Sequence, residues 1–358
     1  MKYLEEFRQP DRVRQVADSI ARLKPPPARL MEVCGTHTMA IARYGLRSLL
    51  PAGIELCSGP GCPVCVTDQP DIDRFIAMGV PGHTLATFGD MMRVPGTTAS
   101  LEEARAAGAD VRVVYSPLDA VELARGTTNQ VIFFGVGFET TAPAVALAIQ
   151  QAQREGLRNF SVLSAHKLIP PALHALLGSN VRIDGFLCPG HVSVIIGSDA
   201  YRPVADGGVP CVIAGFEPLD ILQAVLRLVQ QVQRGESRVE VQYSRVVTAS
   251  GNVKAQALLA EVFEPADVRW RGLGRIPGSG LVIRKELRDF DAAYRFPVEV
   301  PAPRETGCLC GDVLRGAIAP PQCPHFGNDC TPRAPLGPCM VSSEGACAAH
   351  YRFRRPEP

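Results

Sequence analysis

The last 51 residues of the chain hold six of its 12 cysteines, in a stretch that is dense in proline and glycine. Such a stretch cannot form long helices or central strands, because proline removes a backbone donor and glycine weakens both. Its fold therefore needs a source of stability other than a large apolar core. Four thiolates around a metal ion or an iron–sulfur cluster can supply it, since binding free energy becomes folding free energy.

The composition excludes several classes of function. A chain of 358 residues is long enough for two or three domains, and its formal net charge of +1 gives no basic field for nucleic acid. The first residues lack the apolar run of a signal peptide, and no segment approaches the ~20 apolar residues of a membrane span. We therefore expect a cytoplasmic protein, in which clustered cysteines bind metal or do redox chemistry.

Hydrophobic patterning predicts alternating strands and helices. Residues 4–24 have the spacing of an amphipathic helix, which the three prolines at 25–27 end. The candidate strands are 29–33, 54–57, 84–87, 111–115, 131–135, 160–165, 185–188 and 210–214. Helical patterns follow several of these apolar, non-alternating runs, which is typical of parallel sheets covered on both faces.

The predicted fold class is α/β, with two similar parallel-sheet α/β domains facing a cleft and a cysteine-rich C-terminal iron–sulfur domain. A strand followed by Pro-Leu-Asp occurs once in each of the two predicted domains, at Pro117 and Pro218. The predicted boundaries are an N-terminal helix at 1–27, α/β domains at 28–126 and 127–238, and the cluster domain at 239–358.

Cys34 follows the first predicted strand, in Cys34-Gly-Thr-His-Thr38. Ligands bind at the carboxyl ends of strands in open α/β sheets, and a helix N-terminus with His37 beside it would lower the pKa of the thiol. A buried cysteine at a strand end is also a common packing residue. Taken alone, the motif leaves both interpretations open.

Cys62 and Cys65 have the C-x-x-C spacing that allows a reversible disulfide or two ligands to one metal ion. The chain has no second C-x-x-C pair to complete a zinc site, so redox use or a shared ligand role is favoured over structural zinc. Cys57, in the strand before them, is interpreted as a core residue.

The segment 135–143 follows a strongly apolar strand and opens a helix. Its turn could present backbone N–H groups to an anion, but it lacks the lysine or third glycine of a nucleotide motif. Glu139 within it is a candidate for orienting a ligand or a thiol. His166 and His191 end later strands and could line a cleft, although a structural histidine is more common there.

The C-terminal cysteines allow 15 different sets of four ligands. They are Cys308, Cys310, Cys323, Cys330, Cys339 and Cys347. The Cys308–Cys310 pair is too close in sequence for one tetrahedral site, and Cys310 reads as a helix start. The wide gaps between the other four suit a cluster wrapped by loops better than a zinc knuckle. Cys323, Cys330, Cys339 and Cys347 are therefore the predicted cluster ligands.

Five motifs together resemble the HypD family of hydrogenase maturation proteins, from about residue 28 onwards. They are Cys34-Gly-Thr-His-Thr38, Gly59-Pro-Gly-Cys-Pro-Val-Cys65, Gly135-Val-Gly-Phe-Glu-Thr-Thr141, Cys310-Gly-Asp-Val-Leu-Arg-Gly316 and Cys339-Met-Val-Ser-Ser-Glu-Gly-Ala-Cys347. Their order along the chain is the order in the family.

The resemblance implies a scaffold on which the Fe(CN)2CO unit of [NiFe]-hydrogenase is assembled. It implies the small chaperone HypC as a partner, HypE as the cyanide donor, and a [4Fe-4S] cluster in the C-terminal domain. Family roles suggest Cys34 as the iron ligand or the bridge to HypC, and Cys62 with Cys65 as a redox-active pair. From their positions in the motifs, His37 and Glu139 are added as assisting residues. The alternatives are a thiol–disulfide oxidoreductase with a structural cluster, and a zinc-stabilised binding module.

Overall fold

The computed structural model describes residues 5–303 and 306–353. The predicted N-terminal helix is a short 3-10 turn, Glu5–Phe7, followed by α1, Pro10–Arg22; the predicted first helical residue, Leu4, lies outside the described residues. Pro10 stands in the first turn of α1, where its missing N–H costs nothing. The helix packs its apolar face against α11, Pro218–Arg234.

All eight predicted strands are confirmed, each to within two residues at either end. The strands are β1 (Ala28–Glu32), β2 (Ile54–Ser58), β3 (His83–Thr87), β4 (Asp110–Val113), β5 (Gln130–Gly135), β6 (Phe160–Ser164), β7 (Gly185–Pro189), β8 (Cys211–Ala214), β9 (Val239–Val241), β10 (Phe263–Trp270) and β11 (Gly274–Ile283). Across the described residues they form two parallel sheets and one antiparallel hairpin, β10–β11.

The two parallel sheets confirm the α/β class. The first sheet has the order β2-β1-β7-β8-β9 and the second has the order β4-β3-β5-β6. Both are covered on their two faces, so that every residue of β7 and β8 is buried. Each of the two Pro-Leu-Asp segments begins a helix that follows a strand. The first begins α6 (Pro117–Arg125), after β4 of the second sheet, and the other begins α11, after β8 of the first sheet.

The predicted boundary at residues 126 and 127 does not separate the two sheets. Strands β1 and β2 pair with β7 and β8 in the first sheet, whereas β3 and β4 pair with β5 and β6 in the second. The second sheet is therefore an insertion between two halves of the first. Hydrophobic patterning shows where strands lie, but it does not show which strands are neighbours.

The remaining helices connect and cover these strands. They are α2 (Gly35–Tyr44), α3 (Pro63–Val66), α4 (Gln69–Ala77), α5 (Leu101–Ala106), α7 (Ala142–Arg154), α8 (Ile169–Leu177), α9 (Gly190–Ile196), α10 (Arg202–Asp206), α12 (Val253–Val262), α13 (Ala292–Arg295), α14 (Cys310–Leu314), α15 (Pro338–Val341) and α16 (Ala346–Arg352). Further 3-10 turns are Leu46–Leu49, Gly89–Met91, Asp199–Tyr201, Lys285–Phe290 and Pro320–Gln322. None of the helices within 5–303 and 306–353 is long and apolar enough to cross a membrane.

The C-terminal region has the predicted texture of loops and very short helices. It packs on the first sheet's side of the molecule, where α16 contacts α2 and α15 contacts α3. Its cysteines thus lie against the two motifs that follow β1 and β2. The fold brings the cysteines from both ends of the sequence to one place.

Candidate functional site

Cys34 lies at the carboxyl end of β1 and is the residue before the first turn of α2. Its side chain is only 9% exposed. The backbone N–H groups of His37 and Thr36 point at its sulfur. They lower the thiol pKa, but burial has the larger effect and raises it to about 12. The expected lowering by the helix N-terminus is present, but burial outweighs it.

The turn that carries Cys62 packs directly on the Cys34 loop. Neighbouring parallel strands β1 and β2 end at the same sheet edge, and the N–H of Gly35 donates to the carbonyl of Gly61 over 2.8 Å. Gly59 in turn donates to the carbonyl of Glu32 over 2.7 Å. The prediction that the two cysteine motifs converge is confirmed.

Gly61 allows this close approach. A Cβ at this position would lie 2.1 Å from the backbone nitrogen of Cys34, so an alanine cannot fit without moving one of the two loops. We expect Gly61→Ala to destabilise the fold by about 3 kcal/mol, as an overpacked core position does. Urea unfolding measures it, with Gly53→Ala as the control, because a Cβ there is 3.6 Å from its nearest neighbour. Equal stability of the two variants would contradict this packing.

Cys62 and Cys65 form a compact dithiol. Cys62 precedes α3, and its sulfur accepts the N–H of Cys65 over 3.2 Å. The two thiols are in hydrogen-bond contact, and Cys65 is fully buried. Burial raises the pKa of Cys65 well above its usual value. The Cys62 thiol also reaches the hydroxyl of Ser342, in the C-terminal motif, over 3.4 Å.

Hydrogen-bond contacts between thiols continue from this pair into the C-terminal region. Cys65 contacts Cys339, Cys339 contacts Cys310, and Cys310 contacts Cys308. With Cys62 these residues form a continuous file of five thiols, which we call the thiol file. Thiol–disulfide exchange requires sulfur atoms to meet, and the neighbouring thiols of the file are close enough to affect each other's pKa.

One small cavity gathers most of the C-terminal cysteines. The cysteines that line it are Cys308, Cys310, Cys323, Cys330 and Cys347. Cys339 is not among them, but its thiol interacts with those of Cys310 and Cys347, which are. Burial is the largest cause of the raised pKa of the Cys347 thiol. Four nearby cysteines raise it further: Cys310, Cys308, Cys330 and Cys323.

The thiols of this cavity are not packed for a single ion. Within the described residues, no group of three or more His, Cys, Asp or Glu side chains is close enough to hold one metal ion. None of the twelve cysteines, all of which are described, forms a disulfide.

His37 contributes to the Cys34 loop mainly through its backbone. Its ring Nε2 donates to the carbonyl of Gly215 over 2.9 Å, and the ring stacks on Phe216 at 4.9 Å. Burial lowers the pKa of the imidazole to about 4, so the ring is neutral at pH 7. Its Nδ1 has no hydrogen-bond partner within residues 5–303 and 306–353. His37 lies beside Cys34, as predicted from its position.

The side chain of Glu139 makes its hydrogen bond outside the cysteine motifs. Its Oε1 accepts the N–H of Ile169 over 2.9 Å, and its Oε2 has no hydrogen-bond partner in the described part of the chain. Burial raises the pKa of this carboxyl to about 7. The structure thus gives no contact through which Glu139 orients one of the predicted site thiols. His191, one of the two strand-end histidines, packs against Phe216 at 4.0 Å and so lies on the Cys34 side, since the His37 ring contacts the same phenylalanine.

Sequence reasoning missed two carboxylates beside Cys34. Glu32 is fully buried and accepts the hydroxyl of Thr38 over 2.6 Å and the N–H of Cys34 over 3.3 Å. Glu344 accepts the hydroxyl of Thr36 over 2.8 Å and so ties the C-terminal motif to the Cys34 loop. A charge at the end of an apolar strand was the signal for Glu32, while Glu344 stands within a motif that was read only for its cysteines.

Comparison with known proteins assigns the chain to a family. Residues 11–354 match HypD, described as the hydrogenase formation hypA family. A protein named hydrogenase maturation factor HypD from Azotobacter vinelandii is 51% identical, over 99% of this chain and 97% of its own length. Proteins of the same name from Rhodobacter capsulatus and Escherichia coli K12 are 49% and 47% identical, over 99% and 100% of this chain and 98% and 99% of theirs. The chain belongs to the HypD family.

Proposed function

We propose that this chain is a maturation factor for [NiFe]-hydrogenase, on which the Fe(CN)2CO unit is assembled. The observation that carries the proposal is the thiol file, which joins the Cys34 region to the C-terminal cysteine cavity in a member of the HypD family. The expected partners are the chaperone HypC and the cyanide donor HypE. We place the protein in the cytoplasm, where its unpaired thiols stay reduced.

Cys34 is the proposed ligand for the iron that is the scaffold's cargo. Low-spin Fe(II) with cyanide and carbonyl ligands is soft and prefers a thiolate. Metal binding replaces the thiol proton, so a high pKa in the free protein is compatible with this role. The backbone N–H groups of Thr36 and His37 then stabilise the bound anionic sulfur.

Cys308, Cys323, Cys330 and Cys347 are the proposed ligands of a [4Fe-4S] cluster, with Cys308 in place of the predicted Cys339. These four line one cavity of soft donors. A cluster spaces its thiolates more widely than a single ion, which fits sulfurs that are not gathered around one point. Such a cluster supplies or accepts one electron at a time.

Cys310 and Cys339 are then free for thiol exchange with the Cys62–Cys65 pair. When Cys62 and Cys65 are joined, the Cys339 thiolate attacks the Cys65 sulfur and Cys62 leaves as a thiol. Cys310 next attacks Cys339 and releases Cys65. The exchange moves two electrons and two protons: the Cys310–Cys339 pair is oxidised and the Cys62–Cys65 pair is reduced.

A thiol titration tests the paired role of Cys62 and Cys65. Under mild oxidant the wild type is expected to lose these two reactive thiols together, because closing a small disulfide consumes both. With Cys339 also replaced by Ala, so that no other thiol of the file can pair with Cys65, Cys62→Ala and Cys65→Ala should each retain the remaining thiol of the pair. Cys211→Ala, a buried position in β8, should behave like the wild type. Loss of a single thiol in the wild type would contradict the paired role.

Infrared spectroscopy tests the function itself. Anaerobic purification with HypC should yield a complex that contains iron with CN and CO stretching bands, and iron and sulfide of a cluster. A thiol–disulfide oxidoreductase with a structural cluster would give the iron and sulfide without those bands. The full burial of Cys65 already disfavours that alternative, since a protein substrate could not reach the sulfur. Absence of the bands from a pure complex would overturn the proposal.

A further inference from the structure

A second cavity, of about 400 Å³, lies where α8, α9, α12 and the β10–β11 hairpin meet. Most of its wall is apolar, from Leu168, Ile196, Leu259, Phe263 and Leu281. None of the described residues that line it is a cysteine, so the cavity is separate from the thiol file. Its volume is that of a small-molecule site.

Glu139 is the polar group in the wall of this cavity. Its side chain is 2% exposed, and one carboxyl oxygen accepts the N–H of Ile169 in the first turn of α8. The other oxygen is buried and has no hydrogen-bond partner among the described residues. A buried carboxyl oxygen without a partner costs stability, so its place beside an apolar cavity needs a reason.

The other polar groups of the wall are already engaged. The amide nitrogen of Gln256 donates to the carbonyls of Ile195 and Ser250, each over 2.7 Å. Arg284 is at the rim, where its side chain is 41% exposed and 3.7 Å from Glu286. Among the polar side chains of the wall, Glu139 therefore has the oxygen that still lacks a hydrogen-bond partner, and the ionised carboxylate can only accept hydrogen bonds. Burial raises the pKa of this carboxyl to about 7, and the contact with the N-terminus of α8 opposes that shift, so the carboxyl is mostly ionised at pH 8.

We propose that this cavity binds a small organic cation, with an apolar body against the aliphatic and aromatic wall and an ammonium group that donates to Glu139. The wall accounts for the apolar body, because water in such a space would find few partners. The unpartnered oxygen accounts for the ammonium group, because a charge-assisted hydrogen bond satisfies it.

Calorimetric titration of the full-length protein at pH 8 tests the proposal with three probes of one shape. They are 2-phenylethylammonium, neutral 2-phenylethanol and anionic 3-phenylpropanoate. The ammonium probe is expected to bind about tenfold or more tightly than the alcohol, and the carboxylate most weakly. In Glu139→Gln, which keeps the shape, the ammonium probe should bind only as tightly as the alcohol.

Ala260→Phe locates the binding. Ala260 is an exposed residue of α12 that lines the cavity, so a phenyl group there fills the space without disturbing the core. This variant should bind none of the probes while keeping the wild-type unfolding temperature. The proposal fails if no probe binds the wild type, if the ammonium probe has no advantage there, if that advantage survives Glu139→Gln, or if Ala260→Phe still binds.

Discussion

Replacing Cys308 with alanine is expected to remove nearly all iron and sulfide from the protein and to destabilise the C-terminal region. The thiol lines the cavity with Cys323, Cys330 and Cys347, and cluster binding is part of the folding energy of a segment that has little apolar core. Iron and sulfide analysis after anaerobic purification, with the visible absorbance of the cluster, measures the loss from ~4 iron atoms per chain.

Cys339→Ala distinguishes the cavity ligands from the thiol file. Cys339 lies outside the cavity, between Cys65 and Cys310, so this variant should keep its cluster and lose the exchange that reduces the Cys62–Cys65 pair. Cys188→Ala is a control, since that thiol is buried in β7. If Cys339→Ala loses the cluster while Cys308→Ala retains it, the four ligands are those that the sequence alone indicated.

Cys34→Ala is expected to abolish the infrared bands of cyanide-bearing iron and hydrogenase maturation, while leaving the [4Fe-4S] content unchanged. The cluster cavity does not include Cys34, so its loss removes a ligand for the cargo only. The substitution deletes a small buried side chain and should cost about 1 kcal/mol of stability. Infrared spectroscopy of the purified HypC complex measures the first effect, and iron and sulfide analysis measures the second.

Cys57→Ala is the matched control for Cys34→Ala. Cys57 is also a buried cysteine near the end of a strand of the first sheet, the edge strand β2, and burial likewise raises the pKa of its thiol to about 12. Its sulfur contacts the carbonyl of Leu30, and among the described residues no hydrogen bond joins it to a member of the thiol file. The control should retain the bands. Wild-type infrared bands in Cys34→Ala would move the iron ligand to Cys62 or Cys65.

The strands could be predicted from the sequence because each is a short apolar run with a strong local signature. The order of the strands in the sheets could not be predicted. Strand β1 pairs with β7 across more than 150 residues, and the residues of an apolar strand do not indicate which other strand it pairs with. Val239–Val241 was assigned to the third domain for its change of texture, yet it completes the edge of the first sheet.

The part of the candidate site that could be predicted from the sequence is the part formed by motifs that directly follow neighbouring strands. Cys34 and the Cys62–Cys65 turn follow adjacent strands, so their convergence follows from strand geometry alone. Sequence spacing set Cys308 aside for its closeness to Cys310, whereas the structure places both thiols in the lining of the cysteine cavity. In the structure the two thiols have different neighbours, because Cys310 interacts with Cys339 as well as with Cys308. A ligand set is a property of side-chain directions, and spacing along a loop does not fix them.

The insertion of one sheet within the other has a consequence for synthesis on the ribosome. The second sheet spans residues 83–164 and can form as soon as that segment emerges, whereas β1 and β2 must wait for β7. During that interval Cys34 and the Cys62–Cys65 turn stand at the end of an incomplete sheet, exposed to oxidants and to stray metal ions. Partners that bind these thiols would best be excluded until the nascent chain has passed Pro189.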